Sequence, residues 1–182
     1  MRQGSAIKTV LEWVVTIVAA LFIAVLLRLF VFQVYLVPSG SMLETIQEGD
    51  RLIGEKVSYH FTEPEAGDVV TFQDPEDSSM TLIKRVIATG GQTVDLQDGV
   101  VYVDGQALDE PYTLGKPSEP LGNTVVPGGI SYPYTVPEGS VWVMGDNRTN
   151  SLDSRYFGAV SVDKISSHAV LIYWPLGDAR GL

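Results

Sequence analysis

Ser41 is the centre of the stretch Val37-Pro-Ser-Gly-Ser-Met-Leu-Glu-Thr45, where Pro38 closes a β-like run (Val31 to Val37). Two hydroxyls, Ser39 and Ser41, and a flexible Gly40 therefore meet at a sharp turn. Such a turn lets a side-chain oxygen and backbone N–H groups converge on one bound carbonyl, which is what acyl transfer requires. Read alone, the stretch is equally a Ser-rich turn after a strand.

A serine nucleophile needs a base. Beyond the N-terminal apolar run the lysines are Lys56, Lys84, Lys116 and Lys164. Lys116 lies in a Gly/Pro loop, and Lys56 and Lys164 have acidic neighbours that suit a solvated charge. Lys84, in Thr-Leu-Ile-Lys-Arg-Val-Ile, differs. Strand alternation puts it on the face of Leu82 and Val86, a setting that penalises the ammonium. To serve as a base near pH 8 it must fall from about 10.4 by roughly two pH units, worth about 3 kcal/mol. The other reading is a lysine whose stem follows the sheet with its head in water, Arg85 being a rim charge.

A third polar constellation, Gly145-Asp-Asn-Arg-Thr-Asn-Ser-Leu-Asp-Ser-Arg155, follows an apolar strand. It reads as an Asx-turn cluster closed by an Asp153–Arg155 or Asp146–Arg148 ion pair. It also reads as a loop that holds a second hydroxyl, Ser151, against a neutral amine.

The elements that must position these groups follow from composition and periodicity. The 182 residues suffice for one domain with its own core. There is no cysteine, so disulfides and Cys-ligated zinc are excluded, and His60 and His168 stand 108 positions apart, so neither a metal nor a cofactor is expected. From Trp13 to Phe32 twenty residues carry one charge, Arg28, a length that matches a hydrocarbon core of roughly 30 Å. No small-x-small cleavage signature follows Leu27, so the run reads as an uncleaved anchor, assigned to residues 10–32 after a short cytoplasmic segment, 1–9.

Residues 1–36 carry Arg2, Lys8 and Arg28 against Glu12, whereas residues 37–182 hold nine basic and twenty-one acidic side chains. The positive-inside tendency keeps Arg2 and Lys8 in the cytoplasm and puts the remainder outside. A surface this acidic is a poor partner for nucleic acid.

Past Ser41 the pattern is β: Asp50–Lys56, Asp68–Phe72, Thr81–Ile87, Val94–Gln97, Val100–Val103, Gln106–Leu108, Val141–Met144 and Ile165–Trp174. Asp98-Gly99 and Asp104-Gly105 between these runs signal two tight hairpins. Residues Glu110 to Pro137, rich in Pro, Gly, Ser and Thr, read as a surface excursion. The expected fold is mainly β: a single N-terminal transmembrane helix followed by an all-β ectodomain, 33–182, of coiled sheets with a hairpin-rich insertion at about 93–137.

Pro38-Ser-Gly-Ser-Met42, Lys84-Arg-Val-Ile87 and Gly145-Asp-Asn-Arg-(x)2-Ser-x-Asp-Ser-Arg155 resemble, in order, the signature boxes of bacterial type I signal peptidases, and Gly49-Asp50-Arg51 resembles a fourth. The resemblance implies a membrane-anchored serine endopeptidase that removes signal peptides from exported preproteins after small-x-small motifs. On this chain it implies Ser41 as nucleophile and Lys84 as base. Ser39 and the Ser41 N–H would form the oxyanion hole. Ser151, Asp146, Asp153, Arg85 and Arg155 would support the dyad, and Val37, Met42, Leu82 and Ile83 would line the substrate pocket. The partners implied are membrane-held preprotein signal peptides and the lipid bilayer. Two departures stand out: Leu43-Glu44-Thr45 where the family usually has x-Pro-Thr, and Ala88-Thr-Gly-Gly-Gln92 where Gly-x-Pro-Gly-Asp is common. The alternatives are a non-catalytic assembly factor on the same scaffold, and a hydrolase that uses His60 or His168.

Overall fold

The computed structural model describes residues 3–182, with side chains from Lys8 onward, so Arg2 lies outside the described residues. Helix α1 spans Gln3–Phe30. After Gly4 it contains neither glycine nor proline, and its apolar residues extend it for about 40 Å. Its part from Lys8 to Phe30 is long and apolar enough to cross a membrane, and none of it is buried against the rest of the protein. The helix stops at Phe30, two residues before the expected end of the anchor. Val31 alone separates it from the first strand, and its carbonyl accepts from the Lys56 N–H at 2.8 Å.

Twelve strands follow: β1 (Phe32–Leu36), β2 (Arg51–Glu55), β3 (Val69–Gln73), β4 (Thr81–Thr89), β5 (Thr93–Gln97), β6 (Val100–Val103), β7 (Gln106–Ala107), β8 (Tyr134–Thr135), β9 (Ser140–Met144), β10 (Val160–Ser161), β11 (Ile165–Trp174) and β12 (Arg180–Gly181). The larger sheet runs β1-β2-β11-β3-β4-β9-β10, with β12 on β11, and the smaller runs β7-β6-β5-β8. Among the described residues every pairing is antiparallel.

The central strands are covered on both faces, which is why Val-Val-Thr-Phe in β3 is buried throughout. Val69 packs into a cluster with Val37, Met42, Ile46, Leu52 and Ile172. Val70 and Phe72 belong to another, with Val86, Val141 and Val143. A third cluster joins the two sheets through Ile87, Trp142 and Met144 on one side and Val94 and Val101 on the other.

Both Asp-Gly hairpins form with two consecutive left-handed residues, Asp98 and Gly99 at φ 50° and 79°, Asp104 and Gly105 at 51° and 77°. That is the backbone a two-residue turn needs to match strand twist.

The segment from Glu110 to Pro137 lies largely on the surface, as its composition suggests, but is tied to the body at several points. Tyr134–Thr135 pairs with β5, Val136 joins the core, and Thr113 and Ser118 are buried. Glu110, Tyr112 and Ser118 are held by arginines that sit elsewhere in the chain, so the segment's order comes from tertiary partners rather than from its own aliphatic content.

Candidate active site

The turn that carries Ser41 is closed from three sides. Asp50 anchors its far end by accepting from the Gln47 N–H at 2.9 Å, and the Val37 N–H donates to the Asp50 carbonyl at 2.9 Å. Met42 and Ile46 sink into the core below, joined by an Ile46 N–H to Met42 carbonyl bond at 2.9 Å. On the third side the Asn147 N–H donates to the Ser41 carbonyl at 3.0 Å and its side-chain amide to the Gly40 carbonyl at 2.8 Å.

Lys84 comes from β4. Its neighbours on the same face, Leu82 and Val86, pack into the apolar cluster under the sheet, and the lysine itself is only 2% exposed. Its Nζ donates to Ser41 Oγ at 2.8 Å and to the Ile83 carbonyl at 2.9 Å. Burial lowers its pKa from 10.5 to about 8, against the charges of Asp153, Asp74 and Asp146, which favour the ammonium. A buried amine whose proton is this loosely held, in hydrogen-bond contact with a hydroxyl, can take that hydroxyl's proton.

Around the pair lies a frame of buried ions. Arg85 grips Asp146 with two bonds, Nε to Oδ1 at 2.9 Å and Nη2 to Oδ2 at 2.7 Å, and Asp146 Oδ2 also accepts from Thr45 Oγ1 at 2.5 Å. Arg155 binds Asp153 in the same forked manner, both bonds at 2.9 Å, and Asp153 Oδ2 accepts the Gly145 N–H at 3.0 Å. Of the two ion pairs considered within the loop, Asp153–Arg155 forms and Asp146–Arg148 does not. Arg148 turns away to Glu110, at 2.6 and 2.8 Å, and its Nε holds the Gly145 carbonyl at 3.0 Å.

Ser151 makes no hydrogen bond to Lys84. Its Oγ is buried and without a hydrogen-bond partner among the described residues, packed against Gly145. Ser39 is exposed, two positions before Ser41. Val37, Leu82 and Ile83 line a cavity of about 230 Å³ together with Tyr35, Pro38 and Thr71. Met42, expected among them, is fully buried in the core instead, because the turn after Ser41 folds its side chain inward. Glu44 is exposed on the same turn.

Neither histidine hydrogen-bonds Ser41. His168 faces Asp68 at 3.7 Å and stacks on Tyr59, and His60 is exposed in the turn Ser58–His60. Among the described residues no group of three or more acidic or histidine side chains is arranged to hold a metal ion.

Gly145 and Asn147 stood inside the third polar constellation without an assigned role, and Arg148 was read only as a partner for Asp146. Glu110 and Tyr112 carried no signal, because their significance lies in arginines 27 to 38 positions away, and Thr45, present in the Ser41 stretch, gains its role only from Asp146, 101 positions on.

The family model described as signal peptidase, peptidase S26, matches residues 10–174. A probable signal peptidase I-1 of Synechocystis sp. is 44% identical over 166 residues, 87% of this chain and 80% of that protein. Signal peptidase I T of Bacillus subtilis is 37% identical over 176 residues, 95% and 90% of the two chains. A solved signal peptidase I from Enterococcus faecalis V583 is 32% identical and covers 59% of this chain and 97% of its own at a TM-score of 0.48, and the fold above stands on this chain's own strand pairing.

Proposed function

This chain belongs to the signal peptidase family, peptidase S26, and on that premise we propose that it cleaves signal peptides from exported preproteins with Ser41 as nucleophile and Lys84 as general base. The observation that carries the assignment is the 2.8 Å contact between Ser41 Oγ and a Lys84 Nζ that is 2% exposed.

With Lys84 uncharged, its lone pair accepts the Ser41 proton as Oγ adds to the scissile carbonyl. The developing oxyanion meets the Ser41 N–H and the Ser39 hydroxyl. The ammonium then passes its proton to the departing amine, which leaves an ester on Ser41. A water, deprotonated by Lys84, attacks that ester and restores the serine. Ser151, whose buried hydroxyl is unpartnered in the resting site, supplies an acceptor for the ammonium once it forms. Asp146, Asp153, Arg85 and Arg155 hold the two main-chain segments that carry the dyad.

The cavity beside Ile83 is mostly apolar in its lining, so it disfavours charged side chains, which is compatible with cleavage after small-x-small sequences. Residues 1–9 lie in the cytoplasm, the apolar helix within residues 10–32 anchors the protein in the lipid bilayer, and residues 33–182 form the extracytoplasmic catalytic part. The charge distribution about the helix supports that orientation. A substrate held in the same membrane reaches the site at high effective concentration.

The test is cleavage of a preprotein by the detergent-solubilised chain, with the new amino terminus located by mass spectrometry. Ser41→Ala and Lys84→Ala should each abolish the product. Activity retained in either overturns the assignment, and silence of the unaltered protein toward every preprotein favours a non-catalytic assembly role.

A further inference from the structure

The ring of Tyr112 meets two arginines of the catalytic frame. The Arg85 guanidinium lies 4.2 Å from the ring centroid, and that of Arg148 lies 5.9 Å away. The Tyr112 hydroxyl donates at 2.9 Å to Glu110 Oε1, the carboxylate that neutralises Arg148, and Ser118 Oγ accepts from the same arginine at 2.6 Å. All three residues belong to the segment after β7, outside the strands and loops that bear Ser41 and Lys84.

What those two arginines hold is the site itself. Arg85 fixes Asp146, which fixes Thr45 in the turn of Ser41, and Arg148 fixes the carbonyl of Gly145, whose N–H is fixed by Asp153. An aromatic face over a guanidinium favours the cation and keeps water off it. A smaller or non-aromatic side chain at this position would remove one wall from Arg85, leaving its fork on Asp146 and its bond to the Gly67 carbonyl to hold it with more solvent alongside.

We propose that Tyr112 is a positioning residue for peptide hydrolysis, its ring clamping Arg85 and Arg148 so that Asp146 and Gly145 keep Ser41 aligned with Lys84. The inserted segment is thereby part of the reaction machinery rather than an appendage, and the proposal rests on the dyad assignment above. Loosening the clamp weakens the hold of Arg85 on Asp146 and leaves that carboxylate less neutralised. The carboxylates that face Lys84 are Asp74 beyond β3, Asp146 after β9 and Asp153 before α2 (Ser154–Phe157). A less neutralised Asp146 favours the Lys84 ammonium.

The experiment compares Tyr112→Leu with Tyr112→Phe in the full chain in detergent. In Tyr112→Leu, kcat should fall about tenfold with KM within about twofold, as expected for a misaligned reacting pair. The acid limb of kcat/KM should move to higher pH. Tyr112→Phe, which keeps the ring, should match the unaltered protein in both. Unchanged kcat and limb in Tyr112→Leu, a loss wholly explained by its unfolded fraction, a rise in KM alone, or equal losses in both variants would each overturn the proposal.

A second readout separates this from failure of the dyad. With lysines labelled at the ε-carbon and Lys84 identified by its absence in Lys84→Met, its titration is followed by NMR in Ser41→Ala with and without Tyr112→Leu. An upward displacement supports the clamp even if Ser41→Ala still cleaves, and coincident titrations refute it.

Discussion

Gly145 packs so closely on the main chain of Ser41 that a β-carbon at position 145 would lie 2.5 Å from the Ser41 carbonyl oxygen. The close approach is what lets Asn147, two residues on, reach that same carbonyl. Backbone cannot yield as a flexible side chain can, so Gly145→Ala must push the two segments apart. The expected result is a loss of about 1–3 kcal/mol in stability and about 10²-fold in kcat, read from denaturant unfolding and steady-state cleavage.

The proposed base, Lys84, must be proton-free to act, and burial lowers its pKa to about 8. Cleavage measured as kcat/KM should therefore fall about tenfold per pH unit on the acid side of pH 8 and level off above it. A profile flat from pH 6 to 9 would show that Lys84 is not the base.

The same burial has a stability cost whose sign can be tested. Below pH 8 both folded and unfolded chains carry the ammonium, and the folded one bears the full penalty. Between about 8 and 10.5 the unfolded chain binds the extra proton, so stability rises with pH, and above 10.5 the penalty is gone. The interval from 10.5 to about 8 corresponds to about 3 kcal/mol. Lys84→Met should be inactive yet more stable at pH 7 by up to about that amount, with the difference closing toward pH 10.5. Equal stability of the two proteins at pH 7 would refute this account.

The cavity of about 230 Å³ beside Leu82 and Ile83 is expected to receive a small substrate side chain. Leu82→Trp should narrow it and lower kcat/KM at least about tenfold, with less effect on a precursor whose residue before the cut is Gly than on one with Ala. A uniform effect on both precursors would place the recognition elsewhere.

How much of this was written in the chain depends on whether the physics is local. An unbroken apolar run makes a helix of membrane length wherever it is placed, and β-rich runs bounded by turn residues assigned β2, β3, β4 and β11 to within about two residues because their side chains suit a packed sheet. Asp-Gly pairs force left-handed turns by their own backbone preferences, as at Asp98 and Asp104. The apolar neighbours of Lys84 along β4 already pointed to a desolvated amine, and the ordered boxes around Ser41, Lys84 and Gly145 picked out the residues now found together.

Partner choice was not local. A buried charge takes whichever opposite charge the assembled fold brings within reach, so Asp146 pairs with Arg85 from β4 instead of its near neighbour Arg148. Arg148 finds Glu110, 38 positions back, in a segment whose composition suggested solvent. Met42 went to the core and Ser151 Oγ was left without a hydrogen-bond partner among the described residues for the same reason: the side of a turn that faces inward is settled only when other strands have packed against it. Sequence thus determined the elements and the reacting residue types, whereas tertiary packing decided which charges neutralise one another and how dry the amine becomes, since both depend on distances that no run of neighbouring residues encodes.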